Sequence, residues 1–309
     1  MYQNTFVIFC KTYKKDFERF KILKESIDKF NVENIPFYIS CPESDRELFL
    51  SLKTGNEKYK FEILTDKEIL NSNILEQNWI SQQYVKMGFA YTNIAKFYLI
   101  IDSDSYFIKD FHINDFLFDE NTPYIVMHEG KYFREVCSII NDKNIFEMAK
   151  IIKDYFKRQG KDYQFLTTPI IFVSEAIKEL NKFGDIKTLL SISPLEAYWH
   201  GEYLLYSNII PFKPCEPFFK CFNYQFEYDF WRKNGELKRD IKKYYLGIVM
   251  QNRWVKSNVF RNSFITYFNR KIIRLRHYIN FDRAHMRHNF KFYVKLIIGF
   301  IKEIFKGVK

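Results

Sequence analysis

Hydrophobic positions in the first hundred residues alternate between two rhythms. Thr5–Cys10 is a short apolar run of strand type, and Tyr13–Phe30 follows with Phe17, Phe20, Leu23, Ile27 and Phe30 at helical spacing. Ile35–Ser40 reads as a second strand, Ser44–Leu52 as a short helix and Tyr59–Leu64 as a third strand. Trp79–Phe97 is long enough for a helix, and Tyr98–Ile101 is almost purely apolar, the pattern of a strand buried on both faces of a parallel sheet. Farther along, Thr122–Met127, Pro169–Val173 and Asn208–Phe212 read as strands. Asn144–Arg158 and Ser174–Phe183 read as helices, the second capped by Ser174, and Glu202–Ser207 as a short helix. Strands alternating with helices predict a mostly parallel sheet flanked by helices, whose ligands bind beyond the carboxyl ends of the strands.

Composition supports a sizeable core. Of 309 residues 47% are hydrophobic and 19% aromatic, too apolar a chain for disorder. Cys10, Cys41, Cys137, Cys215 and Cys221 are odd in number, scattered and without metal-finger spacing, so they read as reduced thiols. The first apolar run ends at Lys11 with no basic leader before it, which argues against a secretory signal. Near the C-terminus Lys295, Lys302 and Glu303 interrupt the longest apolar stretch, so no transmembrane helix is predicted.

Charge divides the chain in two. Gln251–Lys309 carries 14 lysines and arginines against two acidic residues, whereas the 250 residues before it are close to neutral. On a helical wheel Lys291, Lys295, Lys302, Lys306 and Lys309 fall within a stripe about 60° wide. Phe292, Leu296, Ile297, Phe300, Ile304 and Phe305 occupy the rest of the circumference. Such a helix suits a membrane interface, apolar side down, with lysines reaching anionic headgroups. The expected division is a domain over 1–255 and a basic amphipathic helical tail over 256–309. Nucleic acid is not expected as a partner, since no nucleic-acid motif accompanies the basic residues.

Chemistry concentrates after the fourth predicted strand. Asp102 and Asp104 stand two apart in Asp102-Ser103-Asp104, where a turn at a strand end brings both carboxylates towards one point. Hard oxygen ligands so placed suit Mg²⁺ or Mn²⁺. A metal there bridges a diphosphate and neutralises charge on a leaving group. With 16 aspartates in the chain about one such triplet is expected by chance, so its setting after a buried strand carries the weight. In the preceding helix Gln82 and Lys86 share a face, with Gln83 one step round, and amides with an ammonium suit a nucleotide base or diphosphate. Glu202, among Tyr198, Trp199, Tyr203 and Tyr206, is the candidate general base, and His200 a candidate third metal ligand.

Trp79-x-x-Gln82-Gln83-x-x-Lys86, then the apolar strand and Asp102-Ser103-Asp104, then Glu202-Tyr203-x-x-Tyr206, resembles the bacterial family of unknown function numbered 6492, regarded as GT-A type glycosyltransferases. Lys11-Thr12-Tyr13-x-x-Asp16-x-x-Arg19-Phe20 and Tyr245–Gln251 are similar as well, and the likeness runs from about Thr5 to Gln251, departing at His200-Gly201. The resemblance implies an α/β, GT-A-like (Rossmann-like) fold and a nucleotide-diphosphate sugar as donor. It also implies a divalent metal at Asp102 and Asp104 and transfer to a carbohydrate acceptor. With it Thr12, Asp16, Arg19, Gln82, Gln83, Lys86 and Asp102 become candidate donor-binding residues.

The expected function is therefore a metal-dependent glycosyltransferase acting on a cell-surface or lipid-linked glycan. It would be cytoplasmic and peripheral on the inner face of the membrane, held there by the tail. A sugar-phosphate nucleotidyltransferase is the alternative enzyme, but Cys10–Lys14 lacks the glycine its phosphate loop requires. A non-catalytic membrane-surface protein, in which the two aspartates form only a turn, is the other alternative.

Overall fold

The computed structural model describes residues 2–72, 78–131, 134, 144–222 and 237–250. Cys137 and the basic segment over 256–309, with its lysine stripe, lie outside the described residues.

Among the described residues the strands are β1 (Asn4–Lys11), β2 (Phe37–Cys41), β3 (Phe61–Thr65), β4 (Ala95–Ile100), β5 (Ser105–Phe107), β6 (Leu117–Asp119), β7 (Thr122–Val126), β8 (Ile170–Val173), β9 (Lys213–Cys215), β10 (Phe219–Phe222) and β11 (Gly247–Met250). The helices are α1 (Phe17–Phe30), α2 (Arg46–Leu50), α3 (Asp66–Leu70), α4 (Trp79–Gly88), α5 (Asn144–Tyr155), α6 (Ser174–Glu179), α7 (Ile186–Ile192), α8 (Glu196–Ser207) and α9 (Leu237–Tyr244).

The central sheet has the order β3-β2-β1-β4-β8. Its first four strands are parallel and β8 is antiparallel to β4. From β1 the chain steps outward to β2 and β3, then returns to lay β4 on the other side of β1. That reversal opens a crevice at the carboxyl ends of β1 and β4, where Lys11-Thr12 and Ile101-Asp102 emerge. Phe6–Cys10 and Phe97–Ile101 are all buried, as strands covered on both faces require. Phe9 stacks on Phe89 at 4.1 Å, and Tyr98 meets Phe89 edge-on at 5.0 Å. Each such ring contributes about 2 kcal/mol by leaving water.

Two three-stranded sheets adjoin this one, β10-β11-β5 and β6-β7-β9. The first braces the aspartate loop. β5 starts at Ser105, Val249 of β11 lies opposite it, and the Met250 N–H donates to the Asp104 carbonyl at 2.9 Å. Cys10 and Cys41 are buried, Cys215 and Cys221 half-buried, and all four are free thiols. No helix among the described residues is long and apolar enough to cross a membrane.

Several expected boundaries move. The helix expected over Trp79–Phe97 ends at Gly88, passes through a 3-10 turn at Phe89–Thr92, and stops where Asn93 takes a left-handed φ of 57°. β4 then begins at Ala95. Ser174 is not a cap: its hydroxyl donates to the Ala95 carbonyl at 2.6 Å, and Val173 precedes the helix without a side-chain bond. The helix expected at Glu202 starts at Glu196, and Asn208, at φ 49°, turns the chain where a strand was expected.

Candidate metal and nucleotide site

The crevice is built from the carboxyl ends of β1 and β4 and the helices beside them. Asp102 follows β4, and both its oxygens are held. Lys86 Nζ of α4 lies 2.7 Å from Oδ1, and the Thr168 hydroxyl donates to Oδ2 at 2.9 Å. Lys86 is itself sealed from solvent, with Glu196 at the start of α8 3.7 Å away. Burial pushes this lysine towards its neutral form, but Asp102 and Glu196 more than reverse that, so its pKa is raised. Gln83 completes the relay. Its amide nitrogen donates to Glu196 at 2.7 Å and its oxygen accepts from Trp79 Nε1 at 2.6 Å.

Asp104 stands under strain from like charge. Burial and the Asp102 carboxylate push its pKa up to about 7, with Asp16 adding to the rise and Arg19 and Lys86 opposing it. Its Oδ1 is buried without a hydrogen-bond partner. Asp16, also raised chiefly by burial, accepts from Ser103 and lies 4.0 Å from Arg19. The Thr12 hydroxyl at the end of β1 is buried and unpartnered too.

This donor set fits a hard divalent cation bound with a diphosphate. A buried, unpartnered Asp104 oxygen lies within the field of the Asp102 carboxylate, and a cation in the place of the Asp104 proton would relieve their repulsion. Among the described residues no three His, Cys, Asp or Glu side chains converge into a metal shell. Two carboxylates completed by phosphate oxygens and water is the arrangement Mg²⁺ commonly takes.

The structure brings Asp16, Arg19, Lys86, Asp102 and Asp104 within electrostatic reach of one another, with Thr12 buried at the end of β1. Four expectations change. His200 is no metal ligand: its Nε2 accepts from the Val173 N–H at 3.0 Å, its ring stacks on Phe172, and burial lowers its pKa to about 3. Glu202 is not free to take a proton, because Arg158 grips both of its oxygens, Nη2 reaching Oε1 at 2.8 Å and Nε reaching Oε2. On α8 it lies about 140° round from the Glu196–His200 face. Gln83 and Lys86 are buried supports for Glu196 and Asp102 rather than groups open to a nucleotide. Gln82 is half-buried on α4 next to them.

Sequence reading passed over Glu196 and Thr168. Glu196 did carry a signal, an acidic residue four before His200 in an otherwise apolar helix. Thr168 carried none, since its role arises from contact across 66 positions.

A family model matches residues 6–289. The chain belongs to DUF6492, a family of unknown function. Solved structures to which this DUF6492 chain is similar include the apo structure of the bifunctional glycosyltransferase WbbM, with 11% identity over 82% of this chain and 46% of that one and a TM-score of 0.46. Another is TarS of S. aureus, at 14% identity, 68% and 35% coverage and a TM-score of 0.38. A third is the galactosyltransferase LgtC in complex with donor and acceptor sugar analogs, at 13% identity, 81% and 87% coverage and a TM-score of 0.42. The DUF6492 chain spans about half the length of the first of these. At such TM-scores none of the three likenesses fixes a substrate or a residue's role here. No curated protein matches the chain.

Proposed function

We propose that this DUF6492 chain is a metal-dependent glycosyltransferase of GT-A-like architecture that uses a nucleotide-diphosphate sugar as donor and a carbohydrate as acceptor. The observation that carries the reading is the crevice itself. Asp102 and Asp104 sit at the reversal of strand order, one fixed by Lys86 and Thr168, the other with a buried oxygen that lacks a partner. Asp102 and Asp104 would hold Mn²⁺ or Mg²⁺, whose chemistry there is to neutralise charge on the leaving diphosphate.

The chain's own groups do the rest. Lys86 and Thr168 fix the Asp102 carboxylate before any ligand arrives, so no reorientation is needed on binding. Arg19, part-exposed beside Asp16, offers a guanidinium to phosphate oxygens. The Thr12 hydroxyl, buried at the end of β1 without a partner, would need a local opening to reach the donor.

The basic segment over 256–309 extends the proposal to an anionic membrane surface, which would concentrate a lipid-linked acceptor near the site. Its support is the sequence pattern of lysines and apolar residues. Truncation after Val259 is expected to abolish sedimentation with anionic liposomes at low salt, and unchanged sedimentation refutes the interfacial helix.

The site is tested by thermal stabilisation with nucleoside diphosphates, with and without Mn²⁺. Stabilisation that requires the metal and vanishes in Asp104→Ala is expected. Full metal-dependent binding by Asp104→Ala overturns the assignment.

A further inference from the structure

A cleft beside the Asp102 loop takes no part in the donor site. One cavity of about 710 Å³ is lined by His128, Glu129, Lys131, Tyr163, Gln164 and Thr167, among others. Thr167 precedes Thr168, whose hydroxyl holds Asp102, so this cavity starts at the rim of the donor crevice. A second cavity, of about 450 Å³, includes Lys153, Asp162, Tyr163 and Glu202. Both volumes lie within the roughly 300–1,000 Å³ of small-molecule sites. Tyr163 belongs to both walls, so the two cavities lie side by side with its ring between them.

Three features point to a ligand class. First, Tyr163 is half-buried and carries the Arg158 guanidinium 5.4 Å from its ring centre, which props the ring in place as a flat apolar surface. A sugar's C–H face packs on such a ring. Second, the charged lining of the two cavities is balanced in sign, five lysines and arginines against five carboxylates, and several are paired. Lys161 lies 2.5 Å and Lys131 3.3 Å from Glu129, Lys153 lies 2.6 Å from Asp162, and Arg158 grips Glu202. Donors and acceptors side by side match hydroxyl groups, which donate and accept at once. A polyanion would meet as many carboxylates as cations. Third, the floor is preorganised. His128 and Gln164 exchange backbone bonds of 2.7 and 3.2 Å, and Gly130, at φ 62°, leaves room for the Gln164 side chain that a Cβ would overlap. Gln164 accepts from the Tyr198 hydroxyl at 2.5 Å, while its own buried amide nitrogen has no partner.

We propose that this two-chambered cleft binds the acceptor, as an uncharged oligosaccharide of at least two sugar residues with one ring stacked on Tyr163. The proposal rests on the glycosyl-transfer reading for the word acceptor. The cleft's affinity for neutral glycans stands independently of it.

The test is to probe the full chain with an array of neutral and anionic oligosaccharides and measure affinities for the glycans retained. Neutral oligosaccharides are expected to bind, and single sugars to bind much more weakly. Tyr163→Ala is expected to weaken binding about tenfold and Tyr163→Phe to keep it. The double variant Glu129→Gln/Asp162→Asn, at exposed positions that tolerate change, is expected to weaken it as well and serves if Tyr163→Ala fails to fold. Preference for anionic glycans, no glycan binding, or affinities unmoved by these variants overturns the proposal. Metal-dependent nucleotide stabilisation, measured on the same samples, separates the two readings. Its loss with glycan binding intact sinks the transferase, and the converse sinks only the cleft.

Discussion

Two lysine–aspartate–hydroxyl sets stand at carboxyl ends of the same sheet and differ in exposure and in the second carboxylate, Glu196, beside Lys86. At the end of β1, Lys11 lies 2.9 Å from Asp66, which also accepts from Ser40 at 2.5 Å, and the two charged side chains are 1% and 4% exposed. At the end of β4, Lys86 lies 2.7 Å from Asp102, which accepts from Thr168, but there the carboxylate is 35% exposed. The first set is closed on all sides and ties β1 to α3 and β2. The second has the same chemistry with one face left open to the crevice. The contrast teaches that a buried cation can serve a site by holding its partner, while the exposed member meets the ligand.

Replacing each lysine should give the largest difference. Lys11→Met removes the ammonium beside the buried Asp66 and is expected to cost about 3–5 kcal/mol in urea unfolding. Adding Asp66→Leu should return most of that, since a hydrophobic pair of similar volume often substitutes without loss. Nucleotide and Mn²⁺ binding should survive in the double variant. Lys86→Met with Asp102→Leu and Glu196→Gln, which removes the second carboxylate on Lys86 as well, should likewise fold yet bind no nucleotide with Mn²⁺. Binding retained there, or lost in the Lys11/Asp66 pair, breaks the comparison.

The hydroxyls give a smaller and sharper contrast. Ser40→Ala should destabilise by about 1.5–3 kcal/mol, as removal of a hydrogen bond to a buried charge does, without touching ligand affinity. Thr168→Val should cost less stability, because water can reach Asp102, and should weaken metal-dependent nucleotide binding. Equal effects on stability would mean that the two sets are equally enclosed.

The smallest effect concerns acidity. Asp104 titrates near 7 in the fold and near 4 when unfolded, so the native state holds the extra proton between those values. The metal-free protein should therefore lose stability as pH rises from about 4 to 7 and level off above. Asp104→Asn should flatten that slope and gain on the order of 1–2 kcal/mol at pH 8. Mn²⁺ should bind more tightly from pH 6 to pH 8, since it displaces that proton. Calorimetry across this range checks both.

Much of the scaffold was legible because its signals are local. The apolar runs at Thr5–Cys10 and Tyr98–Ile101 and the beat of Phe20, Leu23 and Ile27 mark strands and a helix whatever surrounds them. The helix beginning at Trp79 was read too long because Phe89 and Ala90 continue the apolar pattern, while the stop at Asn93 is a backbone choice that periodicity does not register. Short strands such as β5 and β6, three residues each, offer too few positions for a rhythm. In the site, Asp102 and Asp104 were visible as neighbours in sequence. The roles of Lys86, Glu196 and Thr168 depend on which helix faces which loop. Glu202 and His200 misled for the same reason, one turned to Arg158 and the other to the β8 backbone.

The bond from Val173 to His200 reaches beyond the site. β8 is the outermost strand on its side of the central sheet, and its last amide, buried under α8, has no further strand to donate to. An imidazole nitrogen fills the position a neighbouring strand would take, and ends the sheet there. With a pKa near 3 that stopper holds through ordinary acidification. Once the ring is protonated it can no longer accept, and the Val173 N–H is left as a buried donor without a partner, so strong acid should loosen the packing of α8 on β8.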